Sequence, residues 1–559
     1  MSSVAAGREV GRFGCLVRNT LLRKETRMSA NRITIGKTDM VQEGDVRRVS
    51  LDGLEILVGR FGGTYYATGA DCPHYGAPLQ DGAIHHDRCV CPWHHAAFTL
   101  TDGKLEDPPA FDGLPTYRID VDGDNLVVEL PERSPVATSS PGGADPDVDR
   151  RVFAVVGAGA AGAAAAETLR QCGFKGRIVL VTREDQLPYD RTLLSKAYMA
   201  SEDTKGWIPL RRRDFYENAD VEVLTGRCVS RIDTRDHGIH LAGGWTLNYD
   251  KLLLAMGSVP KTLDVPGADL DNVMTLRTLA DCRRILKAVG NARRAVIVGA
   301  SFIGMECAAS LRQRDLDVTV AAPEKIPFEP LLGRALGEKL HDLHTSNGVA
   351  FRLGHTVSRF EGNGSVQAAV LDDGTRLEAD LVIVGIGVRP ATDILRDIAC
   401  NSDGGINVTA SMQVEGGDGD VYAAGDIACM PDKRTGGAFR FEHWRTAQQQ
   451  GRVAAANMAG RSTAYNGVPF FWTGQFGMKL RYSGHAPEWD EIIVHGDLQN
   501  ARFLAYFVVD NCVRAVVGSG RDAEQAAVEE CLRLDRMPSM ERIRTDSVDW
   551  LSYVRELQI

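Results

Sequence analysis

Two short runs near the start of the chain carry the side chains best suited to redox chemistry. One run contains Cys72 and His74, and the other contains Cys91 and His94, with residues 75–90 between them. Together they offer two thiolates and two imidazoles, the set that holds a [2Fe–2S] cluster with the sulfurs on one iron and the nitrogens on the other. The same set can hold zinc, but zinc sites usually place both cysteines before both histidines. The pattern favours the cluster, with zinc or no metal as alternatives.

The residues around these four ligands add a family resemblance. The stretches CPHYGAPL and CPWHHAAF resemble the ligand loops of Rieske-type ferredoxins, over about residues 32–133. High-potential members carry an extra cysteine on each loop and join the two as a disulfide, whereas Ala77 and Trp93 stand at those places here. The resemblance therefore implies the low-potential subtype. We expect Cys89 to be a structural thiol, and three more histidines to be solvated or to lie behind the ligands: His85, His86 and His95.

Composition excludes several classes of protein. The chain has 559 residues, a formal net charge of -10 and 12 cysteines, and its pI is about 5.8. Its length predicts three to four domains, and its acidity argues against a nucleic-acid partner. Because the cysteines do not form a small-domain pairing pattern and a cluster suits a reducing compartment, we expect a cytoplasmic protein. No stretch approaches the ~20 consecutive apolar residues of a membrane-spanning helix.

The first residues form a separate segment. Residues 1–31 read as a disordered or targeting tail rich in arginine: Arg8, Arg12, Arg18, Arg23 and Arg27. If residues 1–27 are a transit peptide, the protein is mitochondrial. The favoured interpretation is that Met28 is the true start of a bacterial protein.

Two strand-turn-helix units after the linker predict two nucleotide-binding domains. Residues 32–133 show short strand-like runs, and residues 134–150 are rich in Pro, Ser, Gly and Asp, as in a linker. The first unit then contains Gly157, Gly159 and Gly162, which allow a tight turn and the approach of a pyrophosphate to a helix N-terminus. Glu184 follows the next strand and could accept hydrogen bonds from a ribose.

The second unit departs from the usual pattern at one position. It reads Gly299, Ser301 and Gly304, with a serine in place of the middle glycine. Serine is small enough for the backbone still to approach a phosphate. At the end of the next strand Ala322 stands where an acid is usual, and Glu324 follows without an arginine cluster. This favours NADH weakly over NADPH.

The stretches QLPYDRTLLSK, YDKLLLAMGSVP and VYAAGDIA resemble the ferredoxin-reductase and apoptosis-inducing-factor branch of the pyridine-nucleotide-disulfide oxidoreductases. The resemblance spans about residues 151–559. It implies an FAD domain at 151–268 and 389–462, a nicotinamide domain at 269–388 and a C-terminal domain at 463–559. The implied flavin contacts are Arg191, Lys196, Gly257, Asp426, His443, Trp444 and Trp472. Lys196 and Glu306 would pair beside the flavin as the catalytic residues.

The fold class expected is therefore multidomain. An all-β Rieske domain precedes two α/β Rossmann-like domains for FAD and NAD and a C-terminal α+β domain. The segment DRTLLSKAYM lacks the cysteine pair of disulfide reductases, so electrons must leave by another route.

The expected function is an NAD(P)H-dependent oxidoreductase that sends electrons through FAD to the cluster. The linker would let the Rieske domain dock against the flavin and afterwards present the cluster to an acceptor protein, such as an oxygenase, a ferredoxin or a cytochrome. A homodimer is possible. The alternative is a redox-sensing, apoptosis-inducing-factor-like interaction protein with little turnover. A terminal oxygenase is excluded because no domain is left for a mononuclear iron site.

Overall fold

A computed structural model describes residues 31–51, 53–131, 142–201, 208–432 and 437–557. Residues 1–30 of the expected tail and residues 134–141 of the expected linker lie outside these ranges. Besides the strands and helices below, the described residues form three short 3-10 helices, at Thr38–Met40, Leu79–Asp81 and Arg191–Leu193. Among the described helices, none combines the length and apolar composition needed to cross a bilayer.

The N-terminal region consists of two antiparallel sheets. Its strands are β1 (Asn31–Lys37), β2 (Val46–Leu51), β3 (Leu54–Phe61), β4 (Thr64–Gly69), β5 (Ala83–His85), β6 (Arg88–Val90), β7 (Ala97–Thr99), β8 (Leu105–Asp107), β9 (Thr116–Asp122) and β10 (Asn125–Leu130). The larger sheet has the order β1-β10-β9-β4-β3-β2, and the smaller has β5-β6-β7-β8. The candidate ligand loops follow β4 and join β6 to β7.

The first strand-turn-helix unit opens the next region. Its elements are β11 (Val152–Val156), α1 (Ala160–Gln171), β12 (Arg177–Val181), α2 (Ala197–Ala200), α3 (Arg213–Asn218), β13 (Val221–Leu224), β14 (Val229–Asp233), β15 (Gly238–Leu241), β16 (Trp245–Asn248), β17 (Lys251–Leu254) and β18 (Ser258–Pro260). The alanine-rich helix α1 is buried along almost its whole length, because its small side chains allow close packing on both sides. Strands β11, β12, β13 and β17 pair in parallel.

A second parallel sheet follows. The elements are β19 (Val273–Met274), α4 (Leu279–Val289), β20 (Arg294–Val298), α5 (Phe302–Arg312), β21 (Asp317–Ala322), α6 (Glu329–Leu332), α7 (Arg334–Ser346), β22 (Val349–Leu353), β23 (Val357–Asn363), β24 (Ser365–Leu371), β25 (Arg376–Glu378), β26 (Leu381–Val384) and β27 (Val388–Pro390). The sheet order is β19-β26-β20-β21-β22, and β23-β24-β25 form a separate antiparallel sheet. Strand β27 pairs with β18, which returns the chain to the first unit.

The chain then completes the first parallel sheet. The elements are β28 (Ile406–Asn407), β29 (Val421–Ala423), β30 (Ala428–Pro431), β31 (Ala438–Arg440) and α8 (Trp444–Met458). Strand β29 pairs with β17, giving the order β13-β12-β11-β17-β29. Helix α8 packs closely on α1, since a Cβ at Gly451 would lie 2.2 Å from the carbonyl oxygen of Ala161. One parallel-sheet unit is therefore inserted into the other.

The C-terminal region is an antiparallel sheet with helices on one side. Its elements are β32 (Phe470–Gln475), β33 (Met478–Gly484), β34 (Glu491–Asp497), β35 (Arg502–Val509), β36 (Cys512–Ser519), α9 (Asp522–Leu534), α10 (Met540–Arg544) and α11 (Trp550–Glu556). The sheet order is β32-β33-β36-β35-β34. Its apolar core includes Ala83, Val90 and Ala97 from the N-terminal region. The N-terminal and C-terminal regions therefore share one apolar core.

Candidate redox site

The two ligand loops have the same backbone design. The amide of Cys72 donates to the carbonyl of Ala77, and the amide of Cys91 donates to that of Ala96, both at 2.8 Å. Four residues after each cysteine the backbone takes a positive φ, +73° at Gly76 and +58° at His95. Glycine takes this conformation without steric cost, and histidine is one of the few other residues that tolerate it. The chain therefore repeats one turn to present each cysteine-histidine pair.

The four side chains expected to hold the cluster come together. Cys72 and Cys91 are buried, and the rings of His74 and His94 lie edge to face with centroids 4.9 Å apart. A hydrogen bond between the two thiols, together with burial, raises the pKa of Cys72, and the same bond lowers the pKa of Cys91. The buried Nδ1 of His74 has no partner among the described residues. Two facing thiols and an unpartnered imidazole nitrogen fit a metal-cluster site.

Both histidines are in the form that metals bind. Burial lowers the pKa of His74 to about 4. Burial likewise lowers the pKa of His94, with a further contribution from the charge of His74. Because metal ligation requires a neutral imidazole, both rings are ready as ligands at pH 7.

A cavity of about 640 Å³ lies at the carboxyl ends of the first parallel sheet and extends towards α5. It is of the size that holds an organic cofactor. Most of the expected nucleotide and flavin contacts line it: Gly157, Gly159, Glu184, Arg191, Lys196, Gly257, Ser301, Glu306, Asp426, His443, Trp444 and Trp472.

Three of the expected glycine contacts do not line this cavity. A Cβ at Gly162 would lie 1.8 Å from the carbonyl oxygen of Gly157, and one at Gly304 would lie 2.5 Å from that of Gly299. Gly299 itself has a φ of +99° and lies against Gly385. These residues allow helix and strand to pack closely, which is one of the roles of glycine in such turns.

Ser301, at the middle glycine position, caps helix α5. Its hydroxyl accepts a hydrogen bond from the amide of Gly304 at 3.2 Å. Serine is among the preferred N-cap residues because it satisfies an amide that has no partner within the helix. A serine therefore stands at this position because it caps the N-terminus of α5.

Lys196 and Glu306 form the expected ion pair. The Lys196 Nζ lies 2.9 Å from Glu306 Oε2, and the glutamate side chain is only 3% exposed. Glu306 also accepts hydrogen bonds from Ser195 at 2.5 Å and Thr473 at 2.7 Å. Three donors from two regions of the chain therefore stabilise one buried carboxylate.

Two further carboxylates face the cavity with basic partners. Asp426 Oδ2 accepts from Arg277 at 2.8 Å and from Ser258 at 3.0 Å. Burial alone would raise the pKa of Asp426, but Arg277 and Ser258 outweigh it and the pKa is lowered. Glu184 accepts from Arg191 and from Tyr189, both at 2.6 Å. Both acids are held in place by these hydrogen bonds, with oxygens that can accept from hydroxyl groups.

An aromatic wall closes the cavity on the side of α8 and β32. The His443 ring stacks on Phe471 with centroids 4.3 Å apart and an interplanar angle of 10°. Burial lowers the pKa of His443 to about 4, so the ring is neutral at pH 7.

Trp472 connects this cavity to the ligand loops. This residue lines the cavity, and its ring centroid lies 4.6 Å from that of His94 and 6.4 Å from that of His74. A second bridge runs from the hydroxyl of Tyr75 to Asp190 Oδ2 at 2.6 Å, one residue before Arg191. The expected cluster site therefore abuts the expected flavin site.

Sequence reasoning missed several residues of this site. Ser195, Thr473 and Arg277 are partners of the acids that the sequence identified. Ser195 and Thr473 adjoin the predicted contacts Lys196 and Trp472, but nothing in the sequence pairs them with Glu306. Two of the three histidines expected to be solvated or behind the ligands are fully buried: His85 lies 3.3 Å from Glu530, and His95 lies 2.5 Å from Glu529. Neither is solvated, because both face the C-terminal region.

Comparisons with known families agree with this geometry. The family described as "Pyridine nucleotide-disulphide oxidoreductase" matches residues 152–451. The chain belongs to this family. A Rieske [2Fe-2S] domain matches residues 31–118, and a "Reductase C-terminal" domain matches residues 470–552. The expected fold class of this pyridine nucleotide-disulphide oxidoreductase is confirmed, as are FAD, NAD(P)H and a [2Fe–2S] cluster as its cofactors.

Three similar proteins illustrate the relationship. "Apoptosis-inducing factor 3" of Mus musculus is 36% identical over 92% of this oxidoreductase and 87% of its own length. The 3-phenylpropionate/cinnamic acid dioxygenase ferredoxin--NAD(+) reductase component of Photorhabdus laumondii is 32% identical over 68% of this chain and 96% of its own. A chain of the covalent putidaredoxin reductase-putidaredoxin complex is 30% identical, with a TM-score of 0.68, over 72% of this chain and 98% of that one.

Proposed function

We propose that this chain is an NAD(P)H-dependent flavoprotein oxidoreductase whose own Rieske domain receives the electrons and passes them to an acceptor protein. The observation that carries the proposal is the position of Trp472, which lines the flavin-sized cavity and whose ring centroid lies 4.6 Å from that of His94. When bound, the flavin supplies the conversion from two-electron hydride chemistry to the one-electron chemistry of the cluster.

The chain's residues bind and orient these groups. The turn around Gly157 and Gly159 and the N-terminus of α1 suit a pyrophosphate, because the helix amides and dipole favour negative charge. Asp426 and Glu184 offer carboxyl oxygens as acceptors for hydroxyl groups. Lys196, fixed by Glu306, places a positive charge at the cavity wall, and the aromatic rings of His443 and Trp472 form another part of that wall.

The partner we propose is a one-electron acceptor protein, such as an oxygenase component, a ferredoxin or a cytochrome. In support of this, the proteins similar to this chain include a reductase component of a dioxygenase system and a reductase joined to putidaredoxin. We further propose the cytoplasm as its location, with the mitochondrion as the alternative, and a homodimer as a possible assembly.

The test is an anaerobic titration of the purified protein with NADH and, separately, with NADPH, followed by optical absorption and electron paramagnetic resonance. We expect the yellow colour to bleach and a rhombic reduced-cluster signal to grow, with NADH more effective than NADPH. Bleaching without a cluster signal would contradict the internal relay, and a site containing only zinc would contradict the cluster.

A further inference from the structure

A buried polar network joins the second ligand loop to the C-terminal region and to the flavin-side helix α8. Its centre is Glu529 on α9, whose side chain is 5% exposed. One oxygen of Glu529 lies 2.5 Å from His95 Nδ1 and accepts from Ser483 at 2.7 Å. The other accepts from Arg445 at 2.6 Å.

The partners of Glu529 lie next to residues of both candidate redox sites. His95 directly follows the candidate cluster ligand His94, and Arg445 directly follows Trp444 of the cavity wall. The Glu529 carboxylate therefore contacts a residue next to the candidate cluster ligands and a residue next to the cavity wall. Arg445 also donates to the carbonyl of Pro108 in the Rieske region at 2.8 Å.

The same helix face holds the ligand loop at a second point. Asp522 accepts from Arg481 at 2.5 Å, and Arg481 Nε donates to the carbonyl of Trp93 at 2.5 Å. Gln525 donates to the carbonyl of Arg481 at 2.9 Å. Residues 522, 525 and 529 are spaced so that they share one face of a helix.

The contacts between the Rieske region and the C-terminal region are buried, unlike those of a transient docking interface. Arg445 and Arg481 are each 2% exposed, and His95 is fully buried. Separating the two regions would expose the shared apolar core that contains Ala83 and Val90, and breaking a buried ion pair is costly unless both charges are rehydrated.

We propose that Glu529 is a positioning residue that keeps the Rieske domain seated on the reductase, so that the cluster stays beside the flavin during turnover. The inference rests on the proposed internal relay. It differs from the sequence-based expectation that the linker lets the domain dock and then leave. An acceptor protein would accordingly take electrons from the seated cluster.

The test compares Glu529→Gln with the unaltered full-length holoenzyme. We expect the bleaching of the flavin by NADH in stopped-flow absorption to keep its rate. The appearance of the reduced-cluster signal in freeze-quenched samples should slow by about tenfold or more, since displacements near 1 Å can have large kinetic effects. Hydrogen exchange should accelerate in peptides that cover residues 88–99.

A matched control is Glu361→Gln, which removes a carboxylate that pairs with Arg359 and Arg376 on an exposed sheet of the nicotinamide region. It should change neither rate nor exchange in residues 88–99. If Glu529→Gln fails to fold, Ser483→Ala removes one hydrogen bond to Glu529 without leaving a charge unpaired, and should give a slowing of about two- to threefold in the same step.

The outcomes separate this inference from the proposed function. Unchanged cluster reduction and unchanged exchange in the Glu529 and Ser483 variants would overturn the positioning role, as would equal slowing of flavin bleaching. If the unaltered protein gives no reduced cluster with NADH, the relay itself is wrong, and the exchange of residues 88–99 still decides whether Glu529 seats the domain.

Discussion

At the scale of single residues, the buried carboxylate of Glu306 organises the charged wall of the cavity. Its replacement in Glu306→Gln leaves Lys196 without its counter-charge while keeping the shape of the side chain. We expect the free energy of unfolding to fall by about 2 kcal/mol, since breaking an ion pair with a buried partner is costly. We also expect flavin bleaching by NADH to slow by about tenfold, which corresponds to ~1.4 kcal/mol of lost orientation.

The measurements are urea unfolding and anaerobic stopped-flow absorption. Glu338→Gln is the control, because Glu338 pairs with Arg334 on the exposed face of a helix, where both side chains are at least half exposed. Exposed pairs of this kind contribute less than ~1 kcal/mol. Equal effects of the two substitutions would show that the Lys196–Glu306 pair has no special role.

His344 gives a prediction on pH. It is fully buried and lies 2.7 Å from the side-chain oxygen of Gln475, and burial lowers its pKa to about 4 from the ordinary value of 6.5. As the pH falls, His344 is therefore protonated at a higher pH in the unfolded chain than in the folded protein. Its contribution to stability is complete above pH ~6.5 and is lost progressively towards pH ~4.

His344→Gln removes that proton-binding group and keeps a polar side chain opposite Gln475. The loss of stability between pH 7 and pH 5, measured by urea unfolding, should be about 2 kcal/mol smaller than in the unaltered protein. An identical pH dependence in both proteins would mean that His344 titrates normally in the folded state.

At this scale the sequence predicted the residues that carry chemistry better than their partners. The structure brings Cys72, His74, Cys91 and His94 together as their spacing predicted, because each pair lies on a local turn. The partners of Glu306 and Asp426 come from distant segments, and only the folded chain brings them together. His95 could not be placed because its acidic partner lies more than 400 residues later.

At the scale of elements, strand β6 and the ligand loop after it carry two cysteines. Cys91 is the expected cluster ligand, and Cys89 is not. Cys91→Ser should abolish the brown chromophore and the reduced-cluster signal while FAD and its bleaching by NADH remain. Cys89→Ala is the control, since Cys89 is also buried but its sulfur faces the carbonyl of Leu79 at 3.6 Å. Iron and sulfide analysis provides the measurement, and retention of the cluster in Cys91→Ser would contradict the assignment.

The N-terminus of α5 offers a second prediction at this scale. Ser301→Ala removes the capping hydroxyl and should cost about 1 kcal/mol of stability, whereas Ser301→Gly should cost only a few tenths. Thermal unfolding of the two variants is the measurement. A glycine variant less stable than the alanine variant would show that Ser301 does not act as a cap.

The elements themselves follow from local signals. Glycine turns between apolar strands and helices are dictated by near neighbours, so both nucleotide-binding units were recognisable in the sequence. The pairing of β29 with β17 is different, because nearly 170 residues separate the two strands. The family resemblance implied only that residues 389–462 belong to the FAD domain, and periodicity does not determine which distant strands pair.

At the scale of the whole molecule, the C-terminal region holds the Rieske domain as well as completing the reductase. Strands β5 to β7 share an apolar core with α9 and α11, and Trp472 lies between the two redox sites. No local pattern predicts this arrangement, because it depends on the fit between surfaces at opposite ends of the chain. The order of domains was predictable, and their mutual orientation was not.

The most direct test of electron transfer from FAD to the cluster within one chain is an anaerobic reaction with NADH at several protein concentrations. Rapid-scan absorption follows the flavin, and freeze-quench electron paramagnetic resonance follows the cluster. We expect flavin bleaching followed by a rhombic cluster signal, whose first-order rate does not change with protein concentration. A cluster that stays oxidised while the flavin bleaches, or one reduced at a rate proportional to protein concentration, would contradict transfer within one chain.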